Sequence, residues 1–147
     1  MEQQISSGLS HDLFQIVKRF LRLDLKLKSV DGLTRSEQEL LVMLLMNFDE
    51  TQKVLTVTEI STHLQITTAG VTQLLNPLED TGYIERLPDP RDRRIVRIGL
   101  TGKATRDASA LILDAQEKMV ELVKLMGEED SKTFIRLMIQ AIEFFSR

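Results

Sequence analysis

Apolar side chains recur every three or four residues through most of this 147-residue chain, which is the pattern of amphipathic helices. The first such stretch predicts a helix from Leu9 to about Val30, after a loose tail over residues 1–8. A capping box at Thr34–Glu37 then begins a second helix over about 34–48. Both helices carry a continuous apolar face, so both are expected to pack against other parts of the protein.

The pattern becomes shorter and more varied in the middle of the chain. The polar segment Asp49–Lys53 is expected to be a loop, and Val54–Val57 a short strand. Thr58 has the character of an N-cap, which predicts a short helix over Glu59–Leu64.

A second short helix and a hairpin follow. Thr67 caps the helix, and Thr81-Gly82 ends it. Partial alternation of apolar and polar residues predicts two strands, Ile84–Leu87 and Ile95–Leu100. Two short helices joined by a tight turn and followed by a hairpin form the pattern of a winged helix-turn-helix domain. In such a domain the second helix enters the DNA major groove, and the hairpin reaches the neighbouring minor groove.

The end of the chain predicts two more helices. Thr101 caps a long helix, Gly127 ends it, and Glu128 begins the last one. Together with the first helix they carry more apolar surface than one domain of this size needs. Association of two chains about a two-fold axis would bury that surface. It would also present two copies of the helix that enters the major groove to a palindromic site. Core packing within an isolated monomer is the competing interpretation.

Positive charge is concentrated on the predicted hairpin. The net charge of the chain is −3, yet residues 86–106 hold seven basic and two acidic residues, which gives this segment +5. Its loop reads P-D-P-R-D-R-R, and the two prolines favour a turn that protrudes from the sheet. A basic island on an acidic body indicates an anion-binding face, although a solvated hairpin paired with acidic helices explains the charges equally well.

The solvent side of the second short helix is small or amide-bearing and uncharged. Glutamine and asparagine can pair with adenine through two hydrogen bonds, and threonine or alanine can contact a thymine methyl group. A neutral exposed helix face is the alternative interpretation. The residues on this side are Thr68, Ala69, Thr72, Gln73 and Asn76.

The segment from Thr58 to Thr101 resembles the DNA-binding core of the MarR family of bacterial transcription regulators. The D-x-R-D-x-R signature of that family is complete, and Leu100-Thr101 matches the start of its following helix. The resemblance implies a mainly α-helical fold with a small β-hairpin wing. It assigns residues 34–103 to a winged helix-turn-helix DNA-binding domain, and 1–33 and 104–147 to a helical dimerisation region.

The resemblance also implies a homodimer on short palindromic double-stranded DNA, often as a repressor released by a small anionic or aromatic effector. No cofactor is expected. An effector pocket between the dimerisation helices and the DNA-binding domain is a weaker hypothesis, which rests on the apolar faces at Phe14, Phe20 and Phe48. Arg91 and Arg94 are the residues expected near the minor groove, oriented by Asp89 and Asp92. The expected DNA-binding residues are Thr67, Thr68, Ala69, Thr72, Gln73, Asn76, Asp89, Arg91, Asp92, Arg93 and Arg94.

The second short helix departs from the family pattern at Pro77, inside its C-terminal half. Proline removes one helical hydrogen bond and clashes with the carbonyl of Gln73. We therefore predict either a bend after Gln73 or irregular last turns.

Other functional classes find little support. There is no cysteine, and the two histidines, His11 and His63, stand outside any nucleophile motif, so an enzyme is not expected. No apolar run is long enough to span a bilayer, and a cytoplasmic location is expected. Two alternatives stay open: a winged-helix protein-interaction module that does not bind DNA, and a metal-responsive regulator.

Overall fold

The computed structural model describes residues 2–23 and 27–147, with side chains described from residue 8 onward. Six helices and one antiparallel hairpin make up this part of the chain, as the hydrophobic pattern predicts. In chain order the elements are α1 (Glu2–Leu21), α2 (Arg35–Thr51), α3 (Val57–Leu64), α4 (Thr68–Asp80), β1 (Ile84–Pro88), β2 (Val96–Leu100), α5 (Gly102–Met126) and α6 (Glu128–Phe145).

Threonine side chains begin four of these helices. At α2, α3, α4 and α5 the threonine hydroxyl accepts a hydrogen bond from the N–H of the third residue of the helix. The predicted caps Thr34, Thr67 and Thr101 are thereby confirmed. The predicted cap Thr58 is wrong, because Thr56 is the cap and forms a full capping box with Glu59. The T-x-x-E spacing that marks Thr34 was therefore present here too.

The first helix lies earlier in the chain than predicted. It begins at Glu2 rather than after a loose tail, and it ends at Leu21 rather than near Val30. Tertiary contacts explain the end, because side chains of other helices take up backbone N–H groups beyond it. Asp114 accepts from the N–H of Lys28 at 2.7 Å, and Gln38 accepts from the N–H of Val30 at 3.1 Å. Residues 24–26 of the predicted helix lie outside the described part of the chain.

The predicted loop and strand after α2 are also corrected. α2 continues through Asp49 to Thr51 and ends on Gln52, which adopts a left-handed conformation with φ of 57°. Val54–Val57 does not form a strand. Its contact with the sheet is an isolated bridge between Thr56 and Arg97, with a 2.8 Å hydrogen bond from the N–H of Ile98 to the carbonyl of Leu55. The segment is too short for a ladder because α3 begins at Val57.

Pro77 does not interrupt α4. The helix is continuous from Thr68 to Asp80, so the predicted irregularity of its last turns is wrong. Pro77 and Gln73 both lie on the exposed side, where water can satisfy the carbonyl that the proline leaves without a donor. Beyond the helix, Gly82 turns the chain toward β1 at φ of 78°, a conformation that glycine adopts without strain.

The hairpin pairs in one continuous register, from Ile84 opposite Leu100 to Pro88 opposite Val96. Pro88 is accommodated as the last residue of an edge strand. On one face of the hairpin Ile84 and Ile98 are buried against the helices. The core therefore lies between the hairpin and helices α2, α3, α4 and the first turns of α5. Its buried apolar residues include Leu40, Leu41, Leu44, Leu45, Leu55, Ile60, Val71, Leu75, Leu78, Ala104 and Ala108.

The terminal helices have a different surface. In α6 only Ser131 is buried, and in α1 every described side chain is exposed. Large apolar residues cover both helices and the second half of α5. They include Leu13, Phe14, Ile16, Val17, Phe20, Met119, Val120, Val123, Phe134, Ile135, Met138, Ile139 and Ile142. The division into a DNA-binding domain at 34–103 and a dimerisation region at 1–33 and 104–147 stays a prediction.

Candidate nucleic-acid interface

The N-terminal half of α4 presents the predicted recognition residues to solvent. Thr67, Thr68, Ala69, Thr72 and Gln73 are all exposed. The cap hydroxyl of Thr67 accepts from the N–H of Gly70 at 3.0 Å, and the hydroxyl of Thr72 donates to the carbonyl of Thr68 at 3.0 Å. This end of the helix therefore offers free backbone N–H groups, a positive dipole end and a neutral polar face.

The last predicted residue of that face, Asn76, already has a partner. Its amide oxygen accepts a hydrogen bond from Arg86 on β1 at 3.0 Å, and the same guanidinium forms an ion pair with Glu79. Arg86 thus links β1 of the hairpin to α4. Asn76 keeps a free amide nitrogen, but in this arrangement it cannot pair with adenine through both of its amide atoms.

The hairpin loop is built around Asp89, whose side chain is buried at 8% exposure. One carboxylate oxygen accepts from the N–H groups of Arg91 at 2.8 Å and Asp92 at 3.0 Å, and the other accepts from Arg97 at 2.7 Å. Asp89 therefore holds Arg91 through the backbone and does not bind its guanidinium. The hydrogen bond from the Arg91 N–H, followed by those from Arg97 and the Asp92 N–H, lowers the pKa of Asp89.

Asp92 and Arg94 form the second ordered unit of the loop. The guanidinium donates to both carboxylate oxygens at 3.1 and 3.0 Å, and the Arg94 N–H donates to the same carboxylate at 3.0 Å. These bonds lower the pKa of Asp92 and raise that of Arg94, so both groups stay charged. Arg94 is nevertheless 90% exposed. Its remaining donors can therefore reach an external anion.

Arg91 and Arg93 extend from the same loop into solvent. Both side chains are exposed, and neither guanidinium forms a hydrogen bond or ion pair with another residue in the described ranges. A shallow groove runs between the hairpin and the start of α3, lined by Arg94, Ile95, Val96 and residues 56–58. The tip therefore carries three exposed guanidinium groups, and the groove beside Arg94 lies next to the start of α3.

Two structural arginines of the hairpin were not singled out by the sequence analysis, which counted Arg86 and Arg97 only as part of the basic island. Arg97 donates to the Val54 carbonyl at 2.8 Å as well as to Asp89. Alternation along β2 could have placed its side chain on the face opposite Ile98. The sequence could not have named its partners, since Val54 lies far away in the chain.

The histidines lie outside this surface. His11 and His63 are both exposed, and no three His, Asp or Glu side chains among the described residues come close enough to hold a metal ion. No helix in the described part of the chain is both long and apolar enough to cross a bilayer.

Comparison with known sequences agrees with this geometry. The sequence model of the MarR family matches residues 31–95, from the start of the α2 cap region to the tip of the hairpin. The chain is 30% identical over 115 residues to the HTH-type transcriptional regulator PapX of Escherichia coli, covering 78% of this chain and 68% of PapX. It is 28% identical over 80 residues to YsmB of Bacillus subtilis, an HTH-type transcriptional regulator, of which it spans only 55%.

Comparison with solved structures supports the fold along the whole chain. The crystal structure of Streptococcus pneumoniae FabT in complex with DNA superposes with a TM-score of 0.71 at 23% identity, over 99% of this chain and 98% of FabT. The predicted architecture of helices with a hairpin wing is thereby confirmed. MarR proteins are transcription regulators and not enzymes. This chain belongs to the MarR family of helix-turn-helix transcription regulators.

Proposed function

We propose that the protein is a homodimeric repressor that binds palindromic double-stranded DNA in a sequence-specific way and is released by a small ligand. The observation that carries the proposal is the combination of three exposed arginines at the hairpin tip with an exposed, uncharged N-terminal half of α4. The chemistry of each surface suits one groove of DNA: the helix suits the major groove and the hairpin tip suits the minor groove. A neutral helix reads bases, and guanidinium groups enter the narrow, electronegative minor groove.

The base-reading part of the proposal rests on α4. Thr68, Ala69, Thr72 and Gln73 would face the major groove, while the capped N-terminus would approach a phosphate. Gln73 is the side chain in this set that can form two hydrogen bonds to adenine. Because Asn76 is held by Arg86, its direct part in base recognition is expected to be smaller.

The dimer rests on the apolar surface of the terminal helices. A monomer seldom exposes contiguous apolar patches beyond a few hundred square ångströms, and a helix with no tertiary contact is marginal in water. α1 packs extensively against no other described element of its own chain. A second copy placed across a two-fold axis would cover α1 and α6 and set two wings on one duplex.

The direct test is binding of the purified protein to the DNA upstream of its own gene, measured by fluorescence anisotropy at several salt concentrations. A dimer with about 6–10 phosphate contacts should lose roughly 10³–10⁵ in affinity between about 50 and 200 mM salt. Competition with shuffled DNA of equal length measures sequence specificity. If binding is absent at low salt, or equal for the shuffled DNA, the proposal fails in favour of a protein-interaction module.

Repression is tested with a promoter reporter that carries the same upstream DNA. A dimer that occupies a promoter excludes polymerase, so deletion of the gene should raise reporter expression, and its restoration should lower it. A fall in expression on deletion would instead assign an activator.

The ligand part of the proposal rests on a cavity of about 280 Å³ between the C-terminal half of α2, the outer face of the hairpin and the start of α5. Phe48, Leu44 and Leu87 give it an apolar wall, and Lys53 also lines it. Of the three phenylalanines considered from the sequence, only Phe48 lines this cavity, whereas Phe14 and Phe20 are exposed on α1. A ligand here would press on the hairpin and could move the wing.

Phe48→Ala tests whether a ligand binds in this cavity. Met46→Ala is its control, because Met46 is a half-exposed residue of the same helix that does not line the cavity. A panel of aromatic acids is scored for a shift in melting temperature and for release of DNA. An active compound should lose its effect on Phe48→Ala and keep it on Met46→Ala. Equal effects on both variants would remove the cavity from the proposal.

A further inference from the structure

Arg97 joins three separate parts of the molecule through one guanidinium group. It projects from β2, and its side chain is half-buried at 32% exposure. Nε donates to Asp89 at 2.7 Å, and Nη1 donates to the carbonyl of Val54 at 2.8 Å. Nη1 also lies 3.9 Å from a carboxylate oxygen of Glu59, in the first turn of α3. The wing loop, the segment before α3 and α3 itself therefore meet at this side chain.

The position of the wing loop depends on this arrangement. Asp89 is buried and receives two backbone N–H groups of the loop, so whatever fixes Asp89 also fixes Arg91 and the residues after it. Arg97 is its nearest counter-charge, and Arg94 is occupied with Asp92 instead. A buried carboxylate without a counter-charge is costly, so the loop is expected to rearrange if Arg97 is lost.

We propose that Arg97 is a positioning residue for DNA binding: by holding Asp89 against Val54, it sets the wing relative to the helix-turn-helix and so places Arg91 and Arg94 in the groove. The inference rests on the proposed function, since it requires those wing arginines to contact DNA. The planar fork of arginine is essential, because its nitrogens reach an acid and a carbonyl in different directions. The single ammonium of lysine keeps the charge but cannot reproduce this geometry.

Arg97→Lys therefore separates positioning from direct contact, and Arg136→Lys is the control, an exposed arginine of α6 outside the basic island. Operator affinity should fall by about tenfold to hundredfold in Arg97→Lys, as expected for the loss of hydrogen bonds between charged groups. Operator affinity should stay within about twofold of the parent in Arg136→Lys. Full binding by Arg97→Lys would overturn the inference, because a direct phosphate contact needs only the charge.

A double-mutant cycle with Arg94→Ala supplies the second readout. If Arg97 acts through the wing, its substitution should cost much less in the Arg94→Ala background than in the parent. Additive losses would overturn the inference and assign Arg97 an independent contact or a general role in stability. Hydroxyl-radical footprints should show wing protection lost in Arg97→Lys while the protection by α4 remains. A uniform loss of both would also contradict positioning.

Asp89→Asn keeps the shape of the side chain and one oxygen that can accept from the backbone N–H groups of the loop. It removes the negative charge to which Arg97 binds. It should reproduce the selective loss of wing protection, and an intact footprint would count against the inference. If Arg94→Ala and Arg91→Ala leave affinity unchanged, the wing proposal itself has failed, and the inference falls with it. If those variants weaken binding but Arg97→Lys does not, the inference alone is wrong.

Discussion

Arginine side chains of one hairpin have two different environments. Arg91, Arg93 and Arg94 are exposed, whereas Arg86 and Arg97 are partly buried and bound to carboxylates and amide or carbonyl oxygens. Sequence alone identified the exposed set, because the D-x-R-D-x-R signature and the two prolines mark a loop. It did not distinguish the second set, since a strand arginine takes its partners from segments that only the fold brings near.

Substitution of Arg94 by alanine should weaken binding to every operator sequence. The loss removes one guanidinium per wing, so in a dimer the slope of log affinity against log salt should shrink by roughly 2. Lys132→Ala removes one positive charge from α6, far along the chain from the wing, and should leave that slope unchanged. An unchanged slope in Arg94→Ala, measured by anisotropy titration, would contradict a wing contact.

Tyr83 gives a prediction about pH. Its hydroxyl donates to Asp107 at 3.0 Å, and burial, reinforced by that carboxylate, raises its pKa above the ordinary value of 10.0. Because the pKa of Tyr83 is higher in the folded than in the unfolded state, folding favours its neutral hydroxyl. The stabilisation from this group is therefore complete below pH 10.0 and is lost as the pH rises through the folded-state pKa. Urea unfolding should therefore show the parent losing stability above pH 10.0 more steeply than Tyr83→Phe.

The same variant has an effect at neutral pH. Removal of the hydroxyl leaves Asp107 without this donor, which should lower the free energy of unfolding by about 1 kcal/mol. If Tyr83→Phe is as stable as the parent at pH 8 and loses stability above pH 10.0 in the same way, the hydrogen bond contributes nothing to stability.

Among the elements, α4 combines a regular helix with a residue that normally opposes it. Pro77 is tolerated because it lies on the exposed side, while Val71, Leu75 and Leu78 secure the opposite face in the core. The amino-acid sequence predicted the start and the end of this helix correctly. It overestimated the effect of Pro77, because local rules count the lost hydrogen bond but not the packing that offsets it.

Pro77→Ala should stabilise the protein. Alanine restores the helical donor to the Gln73 carbonyl, and proline costs about 3 kcal/mol more than alanine within a helix, partly offset by about 0.4–1 kcal/mol for its stiffer unfolded chain. We expect the free energy of unfolding to rise by roughly 2 kcal/mol in urea titration. Leu78→Ala, the neighbouring buried position, should instead destabilise the protein by about 2–5 kcal/mol. A destabilised Pro77→Ala variant would show that proline is required for the path of the helix.

At the level of the whole molecule, the terminal helices are incomplete within one chain. Their apolar stripes are exposed, whereas those of α2 and α4 are buried. In the proposed dimer this surface is the interface, and the acidic body, with a net charge of −3 for the chain, is kept away from the duplex while two basic wings approach it.

Ile142→Glu should dissociate the dimer. A carboxylate on the apolar stripe of α6 would be buried without a partner in an interface, so the solution mass should fall from about twice 16.8 kDa to a single chain. Gln140→Glu introduces the same charge two residues away, on the opposite side of the helix, and should leave the dimer intact.

Operator affinity should fall when Ile142→Glu dissociates the dimer. A monomer engages one half-site and loses the gain from linking two contacts, which is about 10²–10⁴ in affinity. Light scattering and anisotropy on the same samples test both statements. A parent protein with the mass of one chain, or an Ile142→Glu variant that stays dimeric, would contradict the proposed interface.

The amino-acid sequence by itself determined the order of the helices, most of their caps, the hairpin and the exposed arginine signature, because each depends on neighbouring residues and on periodicity. Only the tertiary structure decided where α1 ends, whether Pro77 breaks α4, and which arginines are held within the fold. The end of α1 depends on Asp114 and Gln38, and the environment of Arg97 depends on Val54 and Asp89, which are contacts between different elements of the fold. The continuity of α4 depends on the packing of Val71, Leu75 and Leu78 in the core. Local propensity carries no information about such contacts, since their energy exists only once the core has brought the segments together.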